Sequence, residues 1–424
     1  MVSTKPEIGF CGLGAMGGGM ATHLIKSGFP VTGYDLYRPL VEKLVAAGGK
    51  AAASPAAAAK SAVFLILMVV NSVQADSVLF DPEVGAVPAL RHGATIILCS
   101  TTPPQYLKDL RQQIDKIAKR PDLRLLDCPV SGGSIRAANG TLSIFSSGSD
   151  TDLDNASIVL EALADPLYRV PGGISMGSIA KMCHQHLAVT NIIMASEAMG
   201  LAAVAGLNTQ AVYDAVMTSK GASWMFGNRV PHMIKNDWLT VHSAVSIILK
   251  DAGIVTTHAK LSGYPLPLAN AAEQLYVAGA FAGFTKLDDA AMVRLYLPAD
   301  DSDLVGALAE AAGSAEDGVS IDTIVDILAG MHLASTRECM AFAEHIGMDM
   351  ELLRDIISKG AGGSAMFDYA VQQMLKAGCS LKAVKDAKLV RDRFEYALKK
   401  ASGLRQALPL ATTALQQYYF DLGR

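Results

Sequence analysis

Four side chains with chemistry to offer, Lys181, Cys183, His184 and His186, fall within six residues in the stretch "SIAKMCHQHL" (178–187). Together they suit a metal site, a proton-transfer centre or the polar end of a helix. Helix geometry separates these readings. Apolar spacing with few breakers predicts one helix over residues 178–206. At about 100° per residue, Lys181, His184 and Gln185 share a side that Ala188 and Asn191 continue, while Cys183 and His186 are rotated roughly 200° away. A single ion cannot readily take His184 together with Cys183 and His186. The Cys183/His186 pair has no third ligand in view, so no metal is expected. Lys181 stays open between a solvated lysine at a helix start and a proton-transfer role. An ordinary lysine titrates at about 10.4, so this role predicts a closed, water-poor cleft with a positive charge nearby to lower that value.

The elements that must position such a lysine begin near the N-terminus. "EIGFCGLGAMGGGMATHLIKSGFPVTGYDLYRP" reads strand, tight turn, helix, strand, with Gly12, Gly14 and Gly17 in G-x-G-x-x-G spacing. Gly12 permits the sharp turn, Gly14 lets backbone approach a pyrophosphate, and Gly17 lets the helix pack on the strand. The helix N-terminus, with Leu13, Ala15 and Met16 in the turn, faces the phosphates. Asp35 ends the second strand, where a carboxylate bonds ribose hydroxyls. That favours NAD over NADP, although Arg38 stands close by. The alternation continues through "AVFLILMVV", a strand covered on both faces, then "GATIILCSTTPP" and two further strands around a glycine-rich loop in "RLLDCPVSGGSIRAANGTLSIFSSG". Val70 and Asn71, Ser100 to Thr102, and Ser131, Gly132 and Gly133 all fall beyond strand ends, where ligands of open α/β sheets sit.

Composition adds little. The 424 residues are half hydrophobic and 18% charged with a net charge of −4, so nothing points to nucleic acid. The most apolar short stretch, "SAVFLILMVV", falls far short of a membrane span. The N-terminus lacks a secretory pattern, and six scattered cysteines without C-x-x-C spacing suit a reducing compartment. A soluble cytoplasmic protein is expected.

Three ordered segments, "GFCGLGAMGGGM", "DCPVSGG" with "ANGTLSIFSSG", and "MGSIAKMCHQ", resemble the signatures of the β-hydroxyacid dehydrogenases over about residues 6–295. The resemblance implies NAD(P)-linked oxidation of a hydroxy acid. It makes Lys181 the acid/base and has Ser131, Gly132 and Gly133 hold the substrate carboxylate. "SIILKDAGIV" matches the family's Lys-Asp segment, so Lys250 is expected to reach cofactor or substrate with Asp251 in support. Val70, Asn71 and Thr101 are expected along the cofactor. Where the family commonly carries two asparagines or Asn-Gln after the lysine, this chain has His184 and Gln185, as in the threonate/erythronate-type branch. Gln185 and Asn191 are expected at substrate hydroxyls, with His184 reading an extra one.

The chain continues well past the family's usual end, and the continuation repeats. "EAMGLAAVAGLNTQAVYDAVMTSKGASWMF" (197–226) aligns without a gap on "ECMAFAEHIGMDMELLRDIISKGAGGSAMF" (338–367) at an offset of 141, and "LPLANAAEQLY" on "LPLATTALQQY" at 142. Asp322 takes the place of Lys181. The expected architecture is an α/β Rossmann domain (1–175) followed by two tandem all-α domains related by internal duplication (176–297 and 319–424). An acidic connection, 298–318, joins them and carries a short helix around Leu304 to Ala312. The second copy would replace a partner subunit, leaving a monomer or small oligomer.

The expected activity is NAD-dependent oxidation of a small polyhydroxy acid such as L-threonate or D-erythronate. Alternatives are a tartronate or succinate semialdehyde reductase, a 3-hydroxyisobutyrate dehydrogenase, or a cofactor-binding sensor without turnover.

Overall fold

The computed structural model describes residues 5–297 and 318–423. The expected connection, apart from Gly318, and its short helix lie outside the described residues. By compactness the chain divides into Met1–Lys181 and Met182–Arg424.

In the first unit six parallel strands, β1 (Ile8–Cys11), β2 (Val31–Tyr34), β3 (Lys50–Ala51), β4 (Phe64–Leu67), β5 (Thr95–Leu98) and β6 (Arg124–Asp127), pair in the order β3-β2-β1-β4-β5-β6. Strands β1, β4 and β5 are buried along their whole length, which is why they read as unbroken apolar runs. Ile8 pairs with Val31 on one side and Phe64 on the other, so the chain order reverses at β1, the switch point where such sheets take ligands. The helices are α1 (Gly17–Lys26), α2 (Arg38–Ala46), α3 (Pro55–Ala59), α4 (Ser72–Phe80), α5 (Pro104–Gln112), α6 (Gly133–Asn139) and α7 (Asp150–Leu163). A second sheet joins β7 (Val130–Ser131) antiparallel to β8 (Leu142–Ser146), and β8 parallel to β9 (Ala164–Arg169). The glycine-rich loop between β7 and β8 therefore also holds the short helix α6.

The helical region contains α8 (Met176–Val204), α9 (Thr209–Met217), α10 (Trp224–Ile234), α11 (Val245–Ser262) and α12 (Pro267–Phe281). They are followed by α13 (Ile321–His345), α14 (Met350–Ser358), α15 (Ala365–Ala377), α16 (Ala387–Ala401) and α17 (Pro409–Leu422). Helix α8 is long and apolar enough to cross a membrane, but 94% of its most apolar window is buried inside the protein, as in a core helix.

The two series of helices begin on matching chemistry. Asn208 accepts from Ala211 N to cap α9 and Asp349 from Leu352 N to cap α14. Ser223 and Ser364 cap α10 and α15 in the same way. Pro267 and Pro409 open α12 and α17, where a missing N–H costs nothing. Around an antiparallel bridge between Ser223 and Ser364, Trp224 N donates to Gly363 O at 3.0 Å and Ala365 N to Ala222 O at 2.9 Å. Glu197 accepts from Leu410 N and Ala411 N, and Glu338 from Leu268 N and Ala269 N, all at 2.7–3.0 Å. Each buried carboxylate thus supplies the acceptor missing at the start of a helix in the other series. One hydrophobic core runs through both series, from Val189 and Phe226 to Phe394 and Tyr418.

Candidate active site

At the carboxyl end of β1, Gly12 has φ +94°, and a Cβ there would strike the Met68 carbonyl. A Cβ on Gly17 would strike the Gly12 carbonyl, so both positions require glycine. At Gly14 a Cβ would meet nothing within 4 Å, leaving backbone bare beside the start of α1. The N-cap of α1, Met16, makes no side-chain cap bond, and Gly18 N donates instead to Gly14 O at 2.9 Å, which ties the glycine turn to the helix start. Asp35 lies just past β2, its Oδ2 accepting from Leu13 N at 2.7 Å and its Oδ1 from Tyr37 N at 2.8 Å. Arg38 is exposed and 3.8 Å from Glu42.

The next strand ends add to this edge. Val70 is exposed, and its N–H donates to Gln74 Oε1 at 3.0 Å. Asn71 caps α4 through Gln74 N at 3.0 Å. Ser100 accepts from Val69 N at 2.9 Å, joining the ends of β4 and β5, with Thr101 half-buried beside it. Ser131 ends β7. Gly132 and Gly133 follow at φ +135° and +72°, conformations that glycine takes without strain. A bare backbone turn, a helix start without a side-chain cap and a carboxylate at the end of β2 fit a dinucleotide.

Lys181 is 5% exposed, one turn into α8. The start of that helix is held by Asp127 at the end of β6, which accepts from Ser178 N and Ser178 Oγ, both at 2.7 Å, and from Ser147 Oγ at 3.2 Å. Complete burial pushes Asp127 up to about 6, against those three hydrogen bonds. Both ends of this anchor fall inside the segments "DCPVSGG" and "MGSIAKMCHQ", but neither segment alone shows that they meet.

In the helical unit, His184 is fully buried. Its Nδ1 donates to Gln185 Oε1 at 3.1 Å, Gln185 Nε2 donates to Asp251 Oδ2 at 2.6 Å, and Lys250 Nζ lies 3.0 Å from Asp251 Oδ1. Four of the expected residues are therefore joined in one chain from α8 to α11. Asn191 donates to Gly362 O at 3.2 Å. His186 Nε2 is 3.0 Å from Glu338 Oε1, so its imidazole turns towards α13, whose Cys339 Sγ also donates to the Cys183 backbone carbonyl at 3.3 Å. Burial pushes the Cys183 thiol up to about 12, which rules out a thiolate nucleophile at neutral pH. Among the described residues no group of three His, Cys, Asp or Glu is placed to hold a metal ion. The carboxylates Glu197 and Glu338 were visible in the sequence only as identities on the repeat diagonal.

A doubly wound sheet with this glycine turn, followed by a helix bearing a buried lysine, defines a nicotinamide-dependent oxidoreductase. Residues 7–177 match the family described as the NAD binding domain of 6-phosphogluconate dehydrogenase. Residues 175–296 and 317–420 match the family described as NAD-binding of NADP-dependent 3-hydroxyisobutyrate dehydrogenase. The L-threonate dehydrogenase of Cupriavidus necator is 39% identical over 290 residues, 68% of this chain and 96% of that protein. The NAD-dependent L-serine dehydrogenase of Pseudomonas aeruginosa is 30% identical over 69% of this chain and 98% of its own. A crystal structure of 3-hydroxyisobutyrate dehydrogenase from Salmonella typhimurium superposes with a TM-score of 0.64 at 36% identity, covering 69% of this chain and all of that one. The chain belongs to the β-hydroxyacid dehydrogenase family and is an NAD-linked oxidoreductase acting on a CH–OH group.

Proposed function

We propose that the chain oxidises a small polyhydroxylated acid, L-threonate or D-erythronate, using NAD in preference to NADP. The observation that carries this reading is the chain His184–Gln185–Asp251–Lys250, which follows Lys181 on α8 and orders hydrogen-bonding groups suited to several hydroxyls. Similarity at 36–39% identity to L-threonate dehydrogenases supports it.

Bound NAD supplies the acceptor for the hydride leaving the alcohol carbon. Lys181, buried one turn into α8, takes the hydroxyl proton as that C–H bond breaks. Ser131, Gly132 and Gly133 orient the carboxylate, the glycines through exposed backbone N–H groups. Gln185, His184 and Lys250 serve the remaining hydroxyls, with Asp251 holding Gln185 and Lys250 in place. Gly12, Leu13, Gly14, Ala15, Met16 and Gly17 receive the pyrophosphate and Asp35 the ribose. Val70, Asn71 and Thr101 would flank the cofactor, and Lys250 and Asp251 would also serve it.

The second series of helices is a degenerate copy of the first, with domains at 1–175, 176–297 and 319–424. The matching caps, the reciprocal bonds at offsets of 141 and 142, and the family match to both segments support this. The copy serves as a partner subunit held in cis, giving a monomer or small oligomer. Six free cysteines suit the cytoplasm.

The test is NAD+ and NADP+ reduction across hydroxy acids of three to six carbons, with semialdehydes assayed in reverse. Threonate or erythronate is expected to give the highest kcat/KM. A preference for 3-hydroxyisobutyrate, or for a semialdehyde with NADPH, would overturn the substrate assignment.

A further inference from the structure

The turn after α14 lies directly on His184. A Cβ placed on Gly360 would sit 2.6 Å from His184 Nε2 and 2.9 Å from Cδ2. A Cβ on Gly362 would sit 3.1 Å from the His184 carbonyl and 3.2 Å from Leu187 Cβ. Asn191 fastens the same turn from the α8 side through Gly362 O. His184 is thus held between Gln185 on its Nδ1 edge and the bare backbone of Gly360 on its Nε2 edge.

The converse contact is present but differs where it matters. At the positions 141 residues earlier, the turn after α9 packs on α13, a Cβ on Gly221 lying 3.1 Å from Leu328 Cβ and 3.4 Å from the Val325 carbonyl. Ser219 stands where Gly360 does, and Val325 where His184 does. That side opens into a cavity of about 860 Å³ lined by Ser219, Lys220, Asp322, Val325, Asp326 and Arg393. The turn at Ser219 carries a hydroxyl that donates to Val216 O and accepts from Gly221 N, whereas at Gly360 it carries no side chain beside the imidazole.

We infer that Gly360 is a positioning residue for the substrate site, setting the rotation of His184 and through it the aim of the Gln185 amide. This rests on the proposal that Gln185 binds substrate. It makes the second series of helices part of the specificity apparatus as well as a support. Displacing the imidazole re-aims Gln185 Oε1 and Nε2, which changes substrate affinity, while proton transfer at Lys181 is unaffected.

The experiment is a double-mutant cycle of Gly360→Ala and His184→Ala, with Ser219→Ala as control. It is read as KM and kcat for whichever hydroxy acid the wild-type enzyme oxidises fastest, so that failure of threonate as substrate leaves it intact. Gly360→Ala is expected to raise the substrate KM about tenfold, with kcat and the KM for NAD+ within about threefold. In the His184→Ala background the same change adds less than about twofold, because the imidazole it acts through is gone. Ser219→Ala changes neither constant. A full, additive effect in the absence of His184, an unchanged substrate KM, or a fall in kcat alone would overturn the inference. The added Cβ also lies 2.8 Å from the Ile356 carbonyl. If Gly360→Ala alone misfolds while the double variant also misfolds, the glycine is needed by α14 itself and the inference fails. Recovery of folding in the double variant supports it.

Discussion

The two series of helices share a scaffold and differ in chemistry. At related positions they keep the buried carboxylates Glu197 and Glu338, the capping serines Ser223 and Ser364, and the tyrosines Tyr276 and Tyr418, whose hydroxyls donate to Val189 O and Gly330 O. Where the first has Lys181, His184 and Gln185, the second has Asp322, Val325 and Asp326; where the first has Lys250 and Asp251, the second has Asp392 and Arg393. Every formal charge in the set changes sign or appears anew. Residues that satisfy buried backbone are retained because an orphaned N–H costs about 1–3 kcal/mol. The positions that differ are those proposed for the reaction.

The contrast is tested most severely at Lys181. Lys181→Ala should reduce kcat by about 10²–10⁴, the ordinary worth of a positioned proton acceptor, whereas Asp322→Ala should leave kcat within about twofold. Steady-state NAD+ reduction measures both, and comparable losses would erase the distinction between the two series. The shared carboxylates should behave alike in stability. Glu197→Ala and Glu338→Ala each strand two helix-start N–H groups and should cost about 2–5 kcal/mol in chemical denaturation. Glu338 is expected to be the more costly, since Gln417 Nε2 also donates to it at 2.5 Å and His186 abuts it.

A smaller effect is expected where packing differs between the two series. A Cβ on Gly330 would press on the Phe394 ring, while the related pair in the first series is Val189 and Ala252, both buried. Gly330→Ala should cost about 1–3 kcal/mol, and Gly330→Val with Phe394→Ala, which copies the first pair, should recover part of that.

The smallest signal is in pH. Burial pushes Glu197 up to about 7 from an ordinary 4.5. Between those values the folded state holds more protons than the unfolded, so stability falls as pH rises through this window. Glu197→Gln should flatten the fall measured from pH 5 to 8, relative to wild type. Asp127 and Asp289, each raised to about 6 by burial, contribute the same sign in both proteins and cancel in the difference. An unchanged slope would place the titration elsewhere.

The Rossmann domain was legible because its signals are local: Gly12, Gly14, Gly17 and Asp35 lie within 24 residues, and β4 and β5 announce their burial by composition. The edge strand Lys50–Ala51 gave no such signal, being two exposed residues. At the site, helix periodicity set Gln185 apart from His186, and their partners, Asp251 on α11 and Glu338 on α13, lie on different helices. It could not reveal that Asp127 holds the start of that helix across 51 residues, or that Gly360 meets His184 across 176. Such contacts depend on which elements pack together, which single-chain periodicity does not encode. Helix α8 also shows that apolarity alone misleads: a membrane-length run became the interior of a bundle because two sets of helices cover it.

The antiparallel bridge at Ser223 and Ser364 has the reciprocity of a twofold interface, yet both sides belong to one polypeptide. In a homodimer every substitution is made twice, so a change that suits one side must also suit its mirror image. Joining the halves in a single chain removes that constraint. A glycine can face the imidazole of His184 in one half without the other half having to carry a glycine at Ser219, so each half is free to vary on its own account.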